Sequence, residues 1–180
     1  MPLPVLGRLE SLPALEHPEL LAPPVLAALR AWEHGHELAV VEIDPEVADT
    51  AAMSAAYDLG MDTGANCVVV GGKRDGEERV AACLVRADTR ADVNSVVKRT
   101  LDVRKCSFLS MDRAVEESGM EYGGITPVGL PDAWRLLVDP RVLDIEVAVI
   151  GSGVRRSKLL IPGRLCGSLP GAEVIEGLAG

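Results

Sequence analysis

Aromatic residues are scarce in this chain of 180 residues, at 3% of the total. With one Phe, two Trp and two Tyr, the core must be built from Val, Leu, Ile and Ala, and a row of base-stacking side chains is not expected. Excess positive charge is also missing, because the net charge is −9. This charge argues against a protein that coats nucleic acid through phosphate contacts, and we expect no DNA partner, although a small basic patch remains compatible with the sequence.

Paired cysteines and closely spaced metal ligands are absent as well. Cys67, Cys83, Cys106 and Cys166 form no C-x-x-C pair, and no histidine stands near them at metal-ligand spacing. We interpret them as reduced thiols and expect neither a metal nor a cofactor. The N-terminal residues do not resemble a signal peptide, and no apolar run approaches the length of a membrane span. The expectation is a cytoplasmic protein without membrane contact.

The composition, with 48% hydrophobic and 25% charged residues, is typical of one globular domain. Six of the twelve prolines lie within the first 24 residues, among leucines. We therefore predict that residues 1–37 form a Pro- and Leu-rich arm with one helix after Pro24, and that residues 38–180 form the main domain.

Apolar patterns along the chain predict strands mixed with isolated helices. Strands are predicted at 38–43, 65–70, 79–85, 105–109, 135–138, 146–150, 158–161 and 172–175. Helices are predicted at 46–59, 91–101, 111–118 and 164–168, and G-G-K-R-D-G-E is predicted to be the loop of a hairpin. This mixture favours an α+β fold with a mixed sheet over a doubly wound one.

A glycine-rich loop at residues 119–130, G-M-E-Y-G-G-I-T-P-V-G-L, is the most distinctive stretch. Because Gly123 and Gly124 have no Cβ, a ligand oxygen can approach their main-chain N–H groups closely. Pro127 favours an extended conformation at Thr126. A plain tight turn explains the same residues, and spacing alone does not decide between the two interpretations.

The first eleven residues of the glycine loop, 119–129, are one of four distinctive phrases in the sequence. The others are D-T-R-A-D-V-N at 88–94, L-L-V-D at 136–139 and V-I-G-S-G at 149–153. Together they resemble the YbaK/prolyl-tRNA-synthetase-associated family of aminoacyl-tRNA deacylases. The resemblance implies a mixed, barrel-like β-sheet surrounded by helices. It also implies trans-editing, in which the ester of a tRNA mischarged with a small amino acid is hydrolysed without a cofactor. The implied partner is the acceptor end of aminoacyl-tRNA, bound by a monomer or homodimer.

The resemblance also implies the site residues. The catalytic group would be Asn66, Gly123, Gly124 and Thr126. Substrate contacts would come from Cys67, Ile125, Pro127, Asp139, Gly151, Ser152, Gly153, Arg155, Arg156 and Lys158. No histidine lies near Cys67 in the sequence, so we expect a structural thiol there and hydrolysis by a water molecule held at the loop amides.

One departure from the family pattern leaves the function open. Asn66 stands where the family has a lysine, and an amide brings no positive charge to a phosphate or an oxyanion. Arg155 matches the family pattern, and Arg156 and Lys158 either contact a phosphate in place of the lost lysine or belong to a solvated basic turn. Two functions follow: a trans-editing deacylase, or a module that binds an aminoacyl or nucleotide ligand without turnover.

Overall fold

The computed structural model describes residues 2–180, whose strands form two sheets. The first sheet contains, in spatial order, β1 (Leu12–Pro13), β2 (Ala39–Glu42), β8 (Ser157–Pro162) and β7 (Val147–Gly151), all antiparallel. The second contains β5 (Cys106–Phe108), β3 (Ala65–Arg74), β4 (Glu77–Arg86), β6 (Trp134–Val138) and β9 (Ala172–Val174). The pairs β4–β6 and β6–β9 are parallel, which confirms the predicted mixed sheet.

Short helices surround these sheets. Within residues 2–180, the α-helices are α1 (Pro23–Ala31), α2 (Thr50–Tyr57), α3 (Lys98–Leu101), α4 (Met111–Ser118) and α5 (Pro140–Leu143). A π-helical turn at Val93–Val97 leads into α3, so the predicted helix at 91–101 consists of two pieces. A 3-10 turn at Gly163–Ser168 matches the predicted helix at 164–168.

The two sheets meet at one edge, where Gly64 forms a parallel bridge with Val149 of β7. Since Gly64 directly precedes β3, this bridge joins the first sheet to the second and gives the core its barrel-like shape. The main core contains Val40, Leu84 and Leu159, all with no exposed surface. Such dry aliphatic packing supplies most of the driving force for folding in a chain with few aromatics.

The hairpin of β3 and β4 is longer than predicted, and its loop is shorter. The strands pair without interruption from Ala65 opposite Arg86 to Arg74 opposite Glu77. Only Asp75 and Gly76 form the turn, with φ of 53° and 79°, as a two-residue turn of a twisted hairpin requires. The predicted seven-residue loop was wrong because its first residues, 71–74, continue the strand.

The helix predicted at 46–59 begins later, at Thr50. Asp49 caps it, since its Oδ1 accepts a hydrogen bond from the N–H of Ala52 at 3.0 Å. The residues before it, Pro45–Val47, form a separate 3-10 turn. The helix ends at Tyr57, followed by Asp58 with a left-handed φ of 56°, and not at Leu59 before Gly60 as predicted.

Helix α4 follows the prediction closely. The Ser110 hydroxyl accepts a hydrogen bond from the N–H of Arg113, and Gly119 ends the helix with φ of 70°. The glycine loop therefore leaves the end of α4 as expected.

The N-terminal arm packs into the main core. Its Leu12 lies opposite Val40 in the first sheet, and Val25 and Leu29 of α1 are fully buried. The Ser157 hydroxyl, in turn, donates a hydrogen bond to the Leu20 carbonyl at 2.6 Å. Packing is therefore continuous across the predicted boundary between 1–37 and 38–180.

Candidate functional site

A cleft of about 400 Å³ opens where the two sheets meet. Its walls are the start of β3, the end of β7, the first turn of α2 and the glycine loop. Seven of the predicted site residues line it: Asn66, Cys67, Gly123, Ile125, Gly151, Arg155 and Lys158. The fold thus brings the glycine loop and the start of β3 to one cavity, although more than fifty residues separate them in the sequence.

Lys158 is the most unusual residue of the cleft. It lies on β8 opposite Gly151, and only 9% of its surface is exposed. Its Nζ donates a hydrogen bond to the Gly123 carbonyl at 3.2 Å, and no carboxylate within residues 2–180 forms an ion pair with it. Burial lowers its pKa to about 8, with a smaller contribution from Arg155, while Asp49 acts in the opposite direction. This lysine is therefore not part of a solvated turn.

Arg155 lies at the mouth of the same cleft. Its guanidinium donates hydrogen bonds to the carbonyls of Tyr122 at 3.2 Å and Pro45 at 3.0 Å. It also lies 5.4 Å from the centre of the Tyr122 ring, within the range of a cation–π contact. Arg156 is exposed and donates to the Glu19 carbonyl, outside the cleft lining. Of the three cations considered from the sequence, two line the cleft.

Asn66 is half-buried at the start of β3. Its Oδ1 accepts a hydrogen bond from the Thr50 hydroxyl at 2.9 Å. Within residues 2–180 its Nδ2 has no hydrogen-bond partner. The carboxamide therefore has N–H donors available for a ligand in the cleft, but no charge.

Cys67 follows Asn66 and also lines the cleft. Burial raises the pKa of its thiol far above the ordinary value, and the neighbouring Cys83 acts in the same direction. Burial likewise raises the pKa of Cys83 to about 12. Both groups stay protonated, which is the state of a structural thiol and not of a nucleophile.

The two central glycines of the loop differ in their surroundings. Gly123 is exposed in the cleft with φ of 79°, whereas Gly124 is buried. The N–H of Gly124 donates to the Glu121 carbonyl, and its own carbonyl accepts from the N–H of Gly153. A Cβ at Gly124 would lie 2.8 Å from the nitrogen of Val154. Gly124 is therefore required for contact between two loops. The expectation that a ligand approaches its main chain closely was wrong.

Free main-chain donors are nevertheless present in the loop. Within residues 2–180, the N–H groups of Gly123 and Ile125 donate to no protein acceptor, and both residues line the cleft. They are available to a ligand oxygen.

Two further loop residues lie outside the cleft lining. Thr126 is fully buried, and its Oγ1 has no hydrogen-bond partner within residues 2–180. Pro127 lines a separate apolar groove between α1 and β6. Their predicted contacts with substrate stay predictions.

Asp139, Ser152 and Gly153 also lie outside the cleft lining, and each has a supporting position. The Asp139 carboxylate caps α5, accepting from the N–H groups of Arg141 and Ala179 at 2.8 Å each. The buried Ser152 hydroxyl contacts the Ser157 hydroxyl at 2.7 Å. Gly153 packs against the arm, where a Cβ would lie 2.3 Å from that of Ala22. These places favour support of the fold over substrate contact.

Several cleft residues were not predicted from the sequence. The first turn of α2 contributes Asp49, Thr50 and Met53, and the rim carries Met111 and Tyr122. Asp49-Thr50 is a helix N-cap signal, and it marks the start of α2 better than the predicted start at residue 46. The rim residues carried no local signal.

Within residues 2–180, no cluster of three or more His, Cys, Asp or Glu side chains is arranged to hold a metal ion. In the same described residues, no helix is both long enough and apolar enough to cross a membrane.

Sequence comparisons add to this geometry. The family model described as "Aminoacyl-tRNA editing domain" matches residues 44–165. A proline–tRNA ligase of Listeria welshimeri is 34% identical over 77 residues, which are 42% of this chain and 13% of the ligase. A proline–tRNA ligase of Listeria monocytogenes serotype 4a matches to the same extent. The chain thus spans only a small part of the curated relatives it matches.

Solved structures share the fold. One belongs to a candidate trans-editing enzyme for prolyl tRNA synthetase, with a TM-score of 0.73 and 21% identity over 86% of this chain and 94% of that one. Another, of a protein described as hypothetical, has a TM-score of 0.74 and 21% identity over 87% of this chain and 99% of that one. The family model covers well over half of the residues, and the chain therefore belongs to the aminoacyl-tRNA editing domain family.

Proposed function

We propose that this chain is a trans-editing deacylase, which hydrolyses the ester between a small amino acid and the 3′ end of a mischarged tRNA. The observation that carries the proposal is the buried Lys158 ammonium, which lines the cleft without a carboxylate partner. Ester hydrolysis develops negative charge on the carbonyl oxygen, and a cation or N–H donor at that place lowers the barrier.

The cleft offers three kinds of donor for such an oxyanion. Lys158 contributes a charged donor, Gly123 and Ile125 contribute main-chain N–H groups, and Asn66 contributes its Nδ2. Near pH 7 a lysine with a pKa of about 8 is largely protonated, so the charge is present when the oxyanion forms. In this proposal Lys158 supplies the charge that Asn66 does not bring.

The reaction needs little from other side chains. A water oxygen bonds to the carbonyl carbon, the bond from that carbon to the ribose oxygen breaks, and the proton of water passes to the departing oxygen with help from the neighbouring ribose hydroxyl. The products are a free amino acid and an uncharged tRNA. Because an aminoacyl ester is already labile, donors worth on the order of 3 kcal/mol give about a hundredfold acceleration.

The preference for a small amino acid rests on the size and lining of the cleft. Its volume of about 400 Å³ lies toward the lower end for ligand sites and must also take part of the terminal nucleoside. Met53, Ile125 and Val149 narrow it with apolar side chains. Alanine, serine and cysteine are the amino acids that we expect to fit.

The alternative is a module that binds an aminoacyl or nucleotide ligand without turnover. Asn66 is the observation that favours it, because its amide adds no charge and is partly occupied by Thr50. Both functions use the same cleft, so binding alone does not separate them.

The test is deacylation of a panel of mischarged tRNAs by the purified protein, beginning with tRNA(Pro) that carries alanine, serine or cysteine. We expect release of at least one of these amino acids above the spontaneous rate. Asn66→Lys provides a second measurement: a faster variant beside a slow natural protein identifies a weakened deacylase. If both proteins are inert over the whole panel, the binding module replaces this proposal.

A further inference from the structure

A second groove, of about 620 Å³, lies along the far half of β3. Its walls are residues 71–73 of β3 and residues 104–110, which lead through β5 to the start of α4. Its charged side chains are four cations and one carboxylate: Lys73, Arg104, Lys105, Arg113 and Glu78. In a chain with a net charge of −9, this surface is locally basic.

Three of these cations are available to a partner. Arg113 is held by Glu78 and by Glu117. Arg104 has only a 3.7 Å contact with Asp75, in which both side chains are about three-quarters exposed. Lys73 and Lys105 form no ion pair within residues 2–180, and both are exposed. Exposed ion pairs of this kind are weak, so Arg104 exchanges Asp75 for a phosphate at little cost.

Exposed apolar side chains continue from the cleft into this groove. Phe108, 63% exposed, lies in the groove, while Met111, 48% exposed, and Tyr122, 57% exposed, lie at the cleft rim. They are three of the six large hydrophobic side chains exposed within residues 2–180. Ser110 lines the groove and the next residue, Met111, lines the cleft, so both cavities reach the start of α4.

This combination matches one kind of ligand. Single-stranded nucleic acid stacks its bases on exposed aromatic side chains and places its phosphates beside Lys and Arg. From Asn66 in the cleft to Lys73 in the groove, β3 advances by about 23 Å at roughly 3.3 Å per residue. A single strand of several nucleotides spans that length.

We infer that this groove binds the single-stranded 3′ end of tRNA, upstream of the terminal nucleotide in the cleft. Phe108 stacks with a base, and Lys73, Arg104 and Lys105 contact backbone phosphates. The inference rests on the proposed function, because it takes the tRNA as the substrate that reaches the cleft.

The test is the affinity for an unacylated tRNA transcript, measured by fluorescence anisotropy over a series of salt concentrations. Replacing Lys73, Arg104 and Lys105 together by Ala is expected to reduce the slope of log K against log salt by about 2, at roughly 0.7 per phosphate contact of a single strand. The matched control replaces Arg8, Arg30 and Arg164, exposed arginines elsewhere, by Ala. It removes the same charge and should leave the slope near that of the unaltered protein.

Phe108→Ala provides a second, uncharged measurement. We expect about tenfold weaker binding of tRNA with an unchanged salt slope, because a stacking contact releases no counterions. The control is Val174→Ala, which shortens an exposed apolar side chain on β9. Circular dichroism checks that each variant is folded.

The outcomes separate this inference from the proposed function. If both groove variants bind tRNA with the affinity and salt slope of the unaltered protein, the groove inference is wrong, whatever the deacylation assay gives. The unaltered protein is assayed in parallel on an aminoacyl-adenosine ester, which lacks the upstream phosphates, so that inactivity there counts against the proposed function alone. If the unaltered protein does not bind tRNA at all, the groove inference is wrong as well.

Discussion

The two ends of strand β3 lie in contrasting surroundings. At its start, Asn66 lines a cleft that also contains Lys158. Only 9% of the surface of Lys158 is exposed, and within residues 2–180 its ammonium group donates a hydrogen bond to a main-chain carbonyl alone. At its far end, Lys73 is exposed to solvent, and so is Lys105 in the same groove. The same side chain thus occurs on one protein in two electrostatic environments.

The difference shows that lysines in one small domain can have two distinct electrostatic roles. A buried charge acts through a medium of low effective dielectric constant, so it interacts strongly with groups at short range. Exposed charges are screened by salt within about 8 Å, and they contribute mainly to attraction and binding. In our proposals the start of β3 serves the reaction, and its far end serves the RNA.

The largest expected effect is at the buried end. Lys158→Met removes the ammonium while keeping an apolar stem, and we expect hydrolysis of an aminoacyl ester to fall by about 10²- to 10³-fold, as when an oxyanion donor is lost. Single-turnover deacylation measures the rate. Lys98→Met, an exposed lysine on α3, is the matched control. Equal rates in the two variants would remove Lys158 from the mechanism.

The same substitution should stabilise the fold. The pKa of Lys158 falls from 10.5 to about 8 on folding, so its charge costs on the order of 3 kcal/mol below pH 8. Between pH 8 and 10.5 the unfolded chain binds more protons than the folded one, so this cost disappears as pH rises. Urea unfolding should show a more stable Lys158→Met variant at pH 7 and a smaller difference near pH 10. A difference independent of pH would contradict the assigned cause.

Two glycines give a smaller contrast, Gly124 in the glycine loop and Gly76 in the turn after β3. At Gly124 a Cβ meets the main chain of residues 153 and 154, so Gly124→Ala should destabilise the fold by about 1–3 kcal/mol. It should also weaken ligand binding, because the loop that carries Gly123 moves. At Gly76 a Cβ meets nothing within 4 Å, and only the φ of 79° costs about 1 kcal/mol. The two variants are compared by urea unfolding and by binding of an aminoacyl-adenosine analogue. Loss of binding in Gly76→Ala would contradict the expected difference between the two positions.

The smallest effect is expected at Cys67, which lines the cleft next to Asn66. Because its thiol stays protonated, Cys67→Ala should change the deacylation rate by no more than about twofold. The assay is the same single-turnover reaction, with Cys106→Ala as the control thiol outside the cleft. A loss of about a hundredfold in Cys67→Ala alone would mean that the thiol takes part in the chemistry.

Local signals in the sequence predicted much of this fold. Ser110 and Gly119 mark the two ends of α4 because a cap and a left-handed glycine act on neighbouring residues. The hairpin loop was misplaced since Gly71 and Gly72 suggested a turn. In the fold Gly72 is a close-approach position: a Cβ there would lie 2.0 Å from the Lys105 carbonyl, a contact between residues distant in sequence.

The site was predictable only in part for the same reason. The glycine loop and V-I-G-S-G at 149–153 carried recognisable phrases, and residues of both line the cleft. The different surroundings of Lys158 and Arg156 did not follow from the sequence, because the two residues are only two positions apart in one basic stretch, residues 155–158. Burial of Lys158 depends on strands on either side of β8 and on the Gly123 carbonyl.

The position of β2 in the first sheet has a consequence for the design of a shorter version of this protein. β8 lies between β7 and β2, and Val41 of β2 sits directly opposite Lys158. A piece trimmed to the family match would start at residue 44, without β2 or the arm, and would turn β8 into an outer strand open to water. Its lysine would then recover ordinary basicity. A portable unit must therefore include β2, which covers β8 and so helps to keep the Lys158 amine buried.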